Sequence, residues 1–175
     1  ISLDLVEKRL VTNQLVLTVS YDRENLTRPE IASLYHGEIV TDHYGRPVPK
    51  HAHGTANLVA HSSSSREIIR AVVSLYDNIV NRNLLIRRLN ICTNNVVSET
   101  DNQTNAQHDD IQLDLFKDYD SIAKEKELKK KERRMQEALL NIKHRFGKNA
   151  ILKGTSYAEG ATAKDRNKQI GGHKA

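Results

Sequence analysis

The chain has 175 residues, is 38% hydrophobic and 5% aromatic, contains no Trp and carries a formal net charge of +5. That composition suits one modest core with polar extensions and excludes a single core running through every residue. The lone Cys92 excludes an intramolecular disulfide, and no apolar run is long enough for a signal peptide or a membrane span, so a reducing cytoplasm without a membrane partner is expected.

In chain order, Leu3, Val6 and Leu10 have the three- and four-residue spacing of the last turns of a helix. That helix lacks a capping residue, and the only methionine is Met135, so a segment before Ile1 is expected to be missing. From Thr12 to Tyr21 the pattern alternates: Leu15, Leu17, Val19 and Tyr21 share one face of a half-buried strand, and Gln14, Thr18 and Ser20 share the other. Residues 22–53 hold all three prolines, Pro29, Pro47 and Pro49, and read as a long excursion with a helical turn near Pro29. Thr55–His61 is a second strand. Ser64 and Glu67 then have the spacing of a capping box and open a helix. Its broad apolar face comprises Ile68, Ile69, Val72, Val73, Leu75, Tyr76, Ile79 and Val80. Leu85–Val97 is a third strand, with Cys92 read as a small buried hydrophobe.

These elements give an α+β unit over residues 1–97. One further strand ahead of Ile1 would complete a β-α-β-β-α-β sheet with two helices on one face. The other face is then open, with Thr18, Ser20, Arg88 and Asn90 among its polar residues. By alternation Arg87 and Arg88 point to opposite faces, so at most one is expected to meet a partner there.

Charge is divided sharply along the chain. Residues 1–97 are near neutral at +2, residues 98–120 form an acidic linker at −6, and residues 121–175 carry +9. Ser121–Phe146 reads as a highly charged helix, with a narrow stripe of Leu128, Met135, Leu139, Ile142 and Phe146 and a stop at Gly147. Residues 148–175 are a basic tail of small and polar residues, expected to be flexible. A near-neutral unit, an acidic connector and a basic tail suit a DNA partner, because phosphate attraction is long-ranged and tolerant of detail; a solvated helix face accounts for the same charge equally well.

Within the acidic linker, Gln112-Leu113-Asp114-Leu115-Phe116 places three large apolar residues where a linker has no use for them. The pentapeptide resembles the bacterial sliding-clamp-binding motif. That resemblance implies that Gln112 hydrogen-bonds at the rim of the clamp while Leu113, Leu115 and Phe116 serve as apolar anchors in its pockets, Asp114 lying between them. The bland alternative is that the same residues pin the linker onto their own domain.

A second resemblance covers nearly the whole chain. It rests on Thr41-Asp42-His43-Tyr44-Gly45-Arg46, on Val48-Pro49-Lys50-His51-Ala52-His53-Gly54-Thr55 and on Ile86-Arg87-Arg88-Leu89-Asn90-Ile91. It continues through Arg145-Phe146-Gly147-Lys148-Asn149-Ala150-Ile151-Leu152 and Glu159-Gly160-Ala161-Thr162-Ala163 to Arg166-Asn167-Lys168-Gln169-Ile170-Gly171-Gly172-His173-Lys174. In order and wording these resemble the C-terminal region of UmuC-like Y-family translesion DNA polymerases of Gram-positive bacteria and their phages. The resemblance implies a little finger domain that lies along duplex or primer-template DNA and grips its backbone through the sheet. Candidate DNA contacts are Thr18, Ser20, Arg46, Lys50, His51, His53, Arg87, Arg88 and Asn90. It also implies that the catalytic carboxylates and their Mg²⁺ belong to a palm ahead of Ile1, so no catalytic residue and no cofactor are expected in this segment.

Two other readings compete. A repair or regulatory adaptor without a palm would use the same clamp peptide. A hydrolase would use His43, His51, His53 and His61 around a metal, but no cysteine pair or carboxylate triad completes such a site, and no metal is expected.

Overall fold

A computed structural model describes residues 1–101, 119–170 and 173–174 of the chain. The chain divides into two compact units, Ile1–Ile111 and Gln112–Ala175.

The first unit is α+β. Helix α1 (Ser2–Glu7) leads into strand β1 (Leu10–Tyr21), and the short helices α2 (Glu24–Thr27) and α3 (Pro29–Ala32) follow. Next come β2 (Ile39–Thr41), β3 (Pro47–Pro49), β4 (Ala52–Ser62), α4 (Ser65–Ile79) and β5 (Ile86–Ser98). The main sheet is antiparallel with order β4-β1-β5, while β2 and β3 form a separate two-stranded hairpin. The most apolar strand, β1, therefore takes the centre, and β4 and β5 are edges.

Alternation along β1 decides the two faces. Leu15, Leu17 and Val19 are fully buried and Tyr21 is 5% exposed, as their period-two spacing requires. Each such side chain contributes about 1.5–3 kcal/mol on leaving water. Leu17, Val19 and Tyr21 form one core cluster with Leu75, Val80 and Leu84, and Leu15 forms a second with Leu5 of α1 and Ile68 of α4. Both helices thus cover the same side of the sheet. Helix α4 starts at the expected cap: the Glu67 backbone N–H donates to Ser64 Oγ at 3.2 Å. It lies close to β4 because Gly54 has no side chain, and a Cβ there would meet Leu75 Cδ1 at 2.9 Å.

Three expectations change. Ile69 and Val73, read as core, are about half exposed, because one sheet covers only a stripe of the helix and these two lie on its flank. Cys92 is exposed rather than buried: it lies opposite Val16, on the face away from the helices. The excursion of residues 22–53 is ordered into two short helices and a hairpin, not one helical turn. Ile31 and Tyr35 pack it back against the core.

The hairpin accommodates its prolines by register. Asp42 N–H donates to the Arg46 carbonyl at 2.8 Å and Lys50 N–H donates to the Glu38 carbonyl at 2.9 Å. Pro47 and Pro49 occupy alternate positions between those donors, where an inward-pointing N–H is not needed.

In the second unit, α5 (Tyr119–Phe146) begins two residues before the expected helix. It ends at Gly147, whose φ of 89° suits glycine and whose N–H donates to the Lys143 carbonyl. Leu128, Met135 and Phe146 of its narrow stripe are exposed. Beyond it lie a 3₁₀ turn (Gly154–Tyr157), α6 (Ala163–Arg166) and the two-residue strands β6 (Gln169–Ile170) and β7 (His173–Lys174). Asn149 links this segment together, donating to the Lys164 carbonyl and accepting from Asn167 Nδ2 at 2.7 Å.

Candidate nucleic-acid interface

The face of the sheet opposite the helices is an ordered polar surface. Strand register aligns its residues in rows: Asn57, Gln14 and Asn94; Thr55, Val16 and Cys92; His53, Thr18 and Asn90; and Ser20 beside Arg88. Gln14 bridges the first row, donating to Asn57 Oδ1 at 3.1 Å and accepting from Asn94 Nδ2 at 3.2 Å. In the third row Thr18 Oγ1 and His53 Nδ1 are hydrogen-bonded at 2.9 Å. These cross-strand bonds hold the side chains in place, so the face presents hydroxyl, amide and imidazole groups in fixed positions.

At the end of the sheet this face runs into a cleft of about 490 Å³ beneath the β2–β3 hairpin. Ser20, Arg46, His51, Arg87 and Arg88 all line it. Arg87 corrects the alternation argument. A bulge offsets the register so that Ser20 lies opposite Arg88 but Tyr21 lies opposite Ile86, leaving Arg87 as the extra residue. A bulge re-aims the side chain it carries, and both arginines consequently line one cleft. Neither has an ion-pair partner among the described residues.

Arg46 and Lys50 are placed differently from those two. Arg46 donates through Nε and a terminal nitrogen to Asp42 Oδ2 at 2.8 and 2.6 Å, and its guanidinium lies 4.8 Å from the Tyr44 ring centroid. Asp42 Oδ1 also accepts the backbone N–H groups of Tyr44 and Arg46, and Gly45 makes the turn with a φ of 73°. The side-chain bond from Arg46 and the backbone bonds hold the Asp42 carboxyl down at about 2. Lys50 pairs with Glu38 at 2.6 Å beside the Ile39–Pro49 pair of the hairpin, and that bond raises its pKa. Both cations thus stiffen the hairpin first.

Nothing in the pattern of residue types singles out Asn25, which is fully buried. Its amide donates to the carbonyls of Asp22 and Leu85 and accepts the Leu85 N–H at 2.7 Å, fastening the start of β5 to the exit of β1. An Asn in a polar stretch reads as an ordinary turn residue, and only the fold shows that it holds Leu85, two residues before Arg87.

The four histidines do not gather. His51 and His53 have ring centroids 6.4 Å apart and His43 packs edge-on to Tyr44. Among the described residues no three His, Cys, Asp or Glu side chains are grouped to hold a metal ion. Gln112, Leu113, Asp114, Leu115 and Phe116 lie outside the described residues. No described helix is long and apolar enough to cross a membrane. No family model, curated protein or solved structure matches the chain.

Proposed function

We propose that the chain is the DNA-binding and clamp-tethering C-terminal part of a Y-family DNA polymerase, acting in translesion synthesis and DNA repair in the bacterial cytoplasm. The observation that carries this reading is the convergence of residues chosen from the sequence. Ser20, His51, Arg87 and Arg88 line one cleft, and Thr18, His53 and Asn90 form the adjoining row of the open face. Hydroxyls, amides and two guanidiniums without an ion-pair partner among the described residues suit phosphate oxygens, and contacts made to the backbone carry no sequence information. A bypass polymerase needs such indifference, since it must accept any template.

On this reading the three-stranded sheet and the two helices on its covered face are the larger part of a little finger unit. Among the described residues no strand pairs with the outer edge of β4 or β5, which leaves room for the fourth strand of such a unit. Gln112–Phe116 is the tether to the sliding clamp, raising the local concentration of a weakly processive enzyme at the primer end. Mg²⁺ and the catalytic carboxylates are assigned to an upstream palm.

The test is a salt titration of duplex DNA binding by fluorescence anisotropy. Affinity falls linearly on a log–log plot, and replacing Arg87 and Arg88 together with Ala makes the slope shallower by about 1 for each phosphate that is no longer neutralised. Affinity independent of salt, or a slope unchanged in the double variant, contradicts the proposal.

A further inference from the structure

The hairpin tip offers something that backbone gripping alone does not require. Tyr44 is 75% exposed. A free surface tyrosine samples many rotamers, but this one is flanked by the Arg46 guanidinium at 4.8 Å and the His43 ring at 5.4 Å. Asp42 fixes both the turn and Arg46, so the ring is presented as a prepared platform. Tyr44 also lines the same cleft as Arg87 and Arg88. An aromatic face and two cations without an ion-pair partner among the described residues therefore share one open cleft of about 490 Å³, within the range that holds a small ligand.

We propose that this cleft takes one unpaired nucleotide of a DNA strand, Tyr44 stacking on its base while Arg87 and Arg88 hold its phosphate. A base inside a duplex has both faces covered by its neighbours, so an aromatic platform recognises a base only where the stack is interrupted. Stacking is indifferent to base identity, which matches the sequence-neutral open face beside it. The inference rests on the DNA-binding reading and adds to it a preference for single-stranded character next to the duplex. Arg46 is a positioning residue here, holding the ring rather than the phosphate.

The test uses the full chain with three ligands: a blunt duplex, the same duplex with a single-stranded overhang carrying 2-aminopurine, and free deoxyadenosine monophosphate. The overhang binds more tightly than the blunt duplex, and the 2-aminopurine fluorescence changes on binding. Tyr44→Ala removes that change and weakens overhang binding about fivefold to a hundredfold, a larger factor than its effect on blunt-duplex binding; Tyr44→Phe retains both. Circular dichroism of Tyr44→Ala matches the parent, as expected for so exposed a side chain. Equal affinity of the parent for blunt and overhang DNA, or an unchanged fluorescence response in Tyr44→Ala, overturns the inference and leaves the DNA-binding reading standing. Binding of the free mononucleotide as tight as the overhang overturns it in favour of a nucleotide pocket. Failure of the parent to bind any of the DNA ligands overturns both.

Discussion

Asn25 and Arg87 carry more of the site than their surroundings in sequence suggest. Asn25 satisfies the N–H and C=O of Leu85 and the C=O of Asp22 from a fully buried position. Asn25→Ala leaves the Leu85 N–H without a partner, while the Leu85 and Asp22 carbonyls keep the backbone N–H groups of Asp22 and residue 25, and is expected to destabilise the first unit by about 1–3 kcal/mol. Urea denaturation measures this; a change below about 0.5 kcal/mol would show that water replaces the amide. The alternating residues of β1 are legible because from Leu15 to Tyr21 burial follows period two without interruption. Arg87 is not, because a bulge adds one residue and breaks the parity on which the facing argument stands. Cys92 shares the parity of Arg88 and Asn90 and so belongs to the open face; its small apolar type, which favours burial, argues the other way.

Among the elements, the capped helix α4 and the strands around it are readable from the sequence because each has a long pattern or a cap. The β2–β3 hairpin is hidden by its own size. Three-residue strands show no periodicity, and two of the six residues are prolines that ordinarily argue against a strand. Its stiffness rests on the Asp42–Arg46 pair, which gives it a pH dependence of known sign. The folded pKa of Asp42, about 2, lies below the ordinary 3.8, so the stabilisation is complete above about pH 4 and is lost as pH falls through 2. Amide shifts of Tyr44 and Arg46 followed by NMR should titrate with a midpoint near 2, and Asp42→Asn should abolish the transition. A midpoint near 3.8 would mean that the pair does not form.

At the scale of the whole molecule, the acidic stretch of residues 98–120 separates a near-neutral unit from one rich in Lys and Arg. The proposed function divides the labour between segments: DNA gripping is assigned to the open face and cleft of the first unit, and clamp tethering to Gln112–Phe116. Replacing Leu115 and Phe116 with Ala is expected to weaken clamp binding about a hundredfold or more, measured by surface plasmon resonance, without altering the thermal midpoint. A fall in thermal stability instead would place those side chains in the protein's own core. The α+β class and the open face are legible from alternation and capping. The cleft is not, because it is assembled from the end of β1, a bulge in β5 and a hairpin far from both in sequence.

The most direct measurement uses Cys92, the single thiol, which sits on the open face opposite Val16. Alkylation of Cys92 by a maleimide, followed by mass spectrometry with and without primer-template DNA, reports whether that face is the one covered. Bound DNA should slow alkylation severalfold at low salt, with protection disappearing as salt releases the DNA. An unchanged rate while anisotropy shows the DNA fully bound would place the DNA elsewhere and contradict the account.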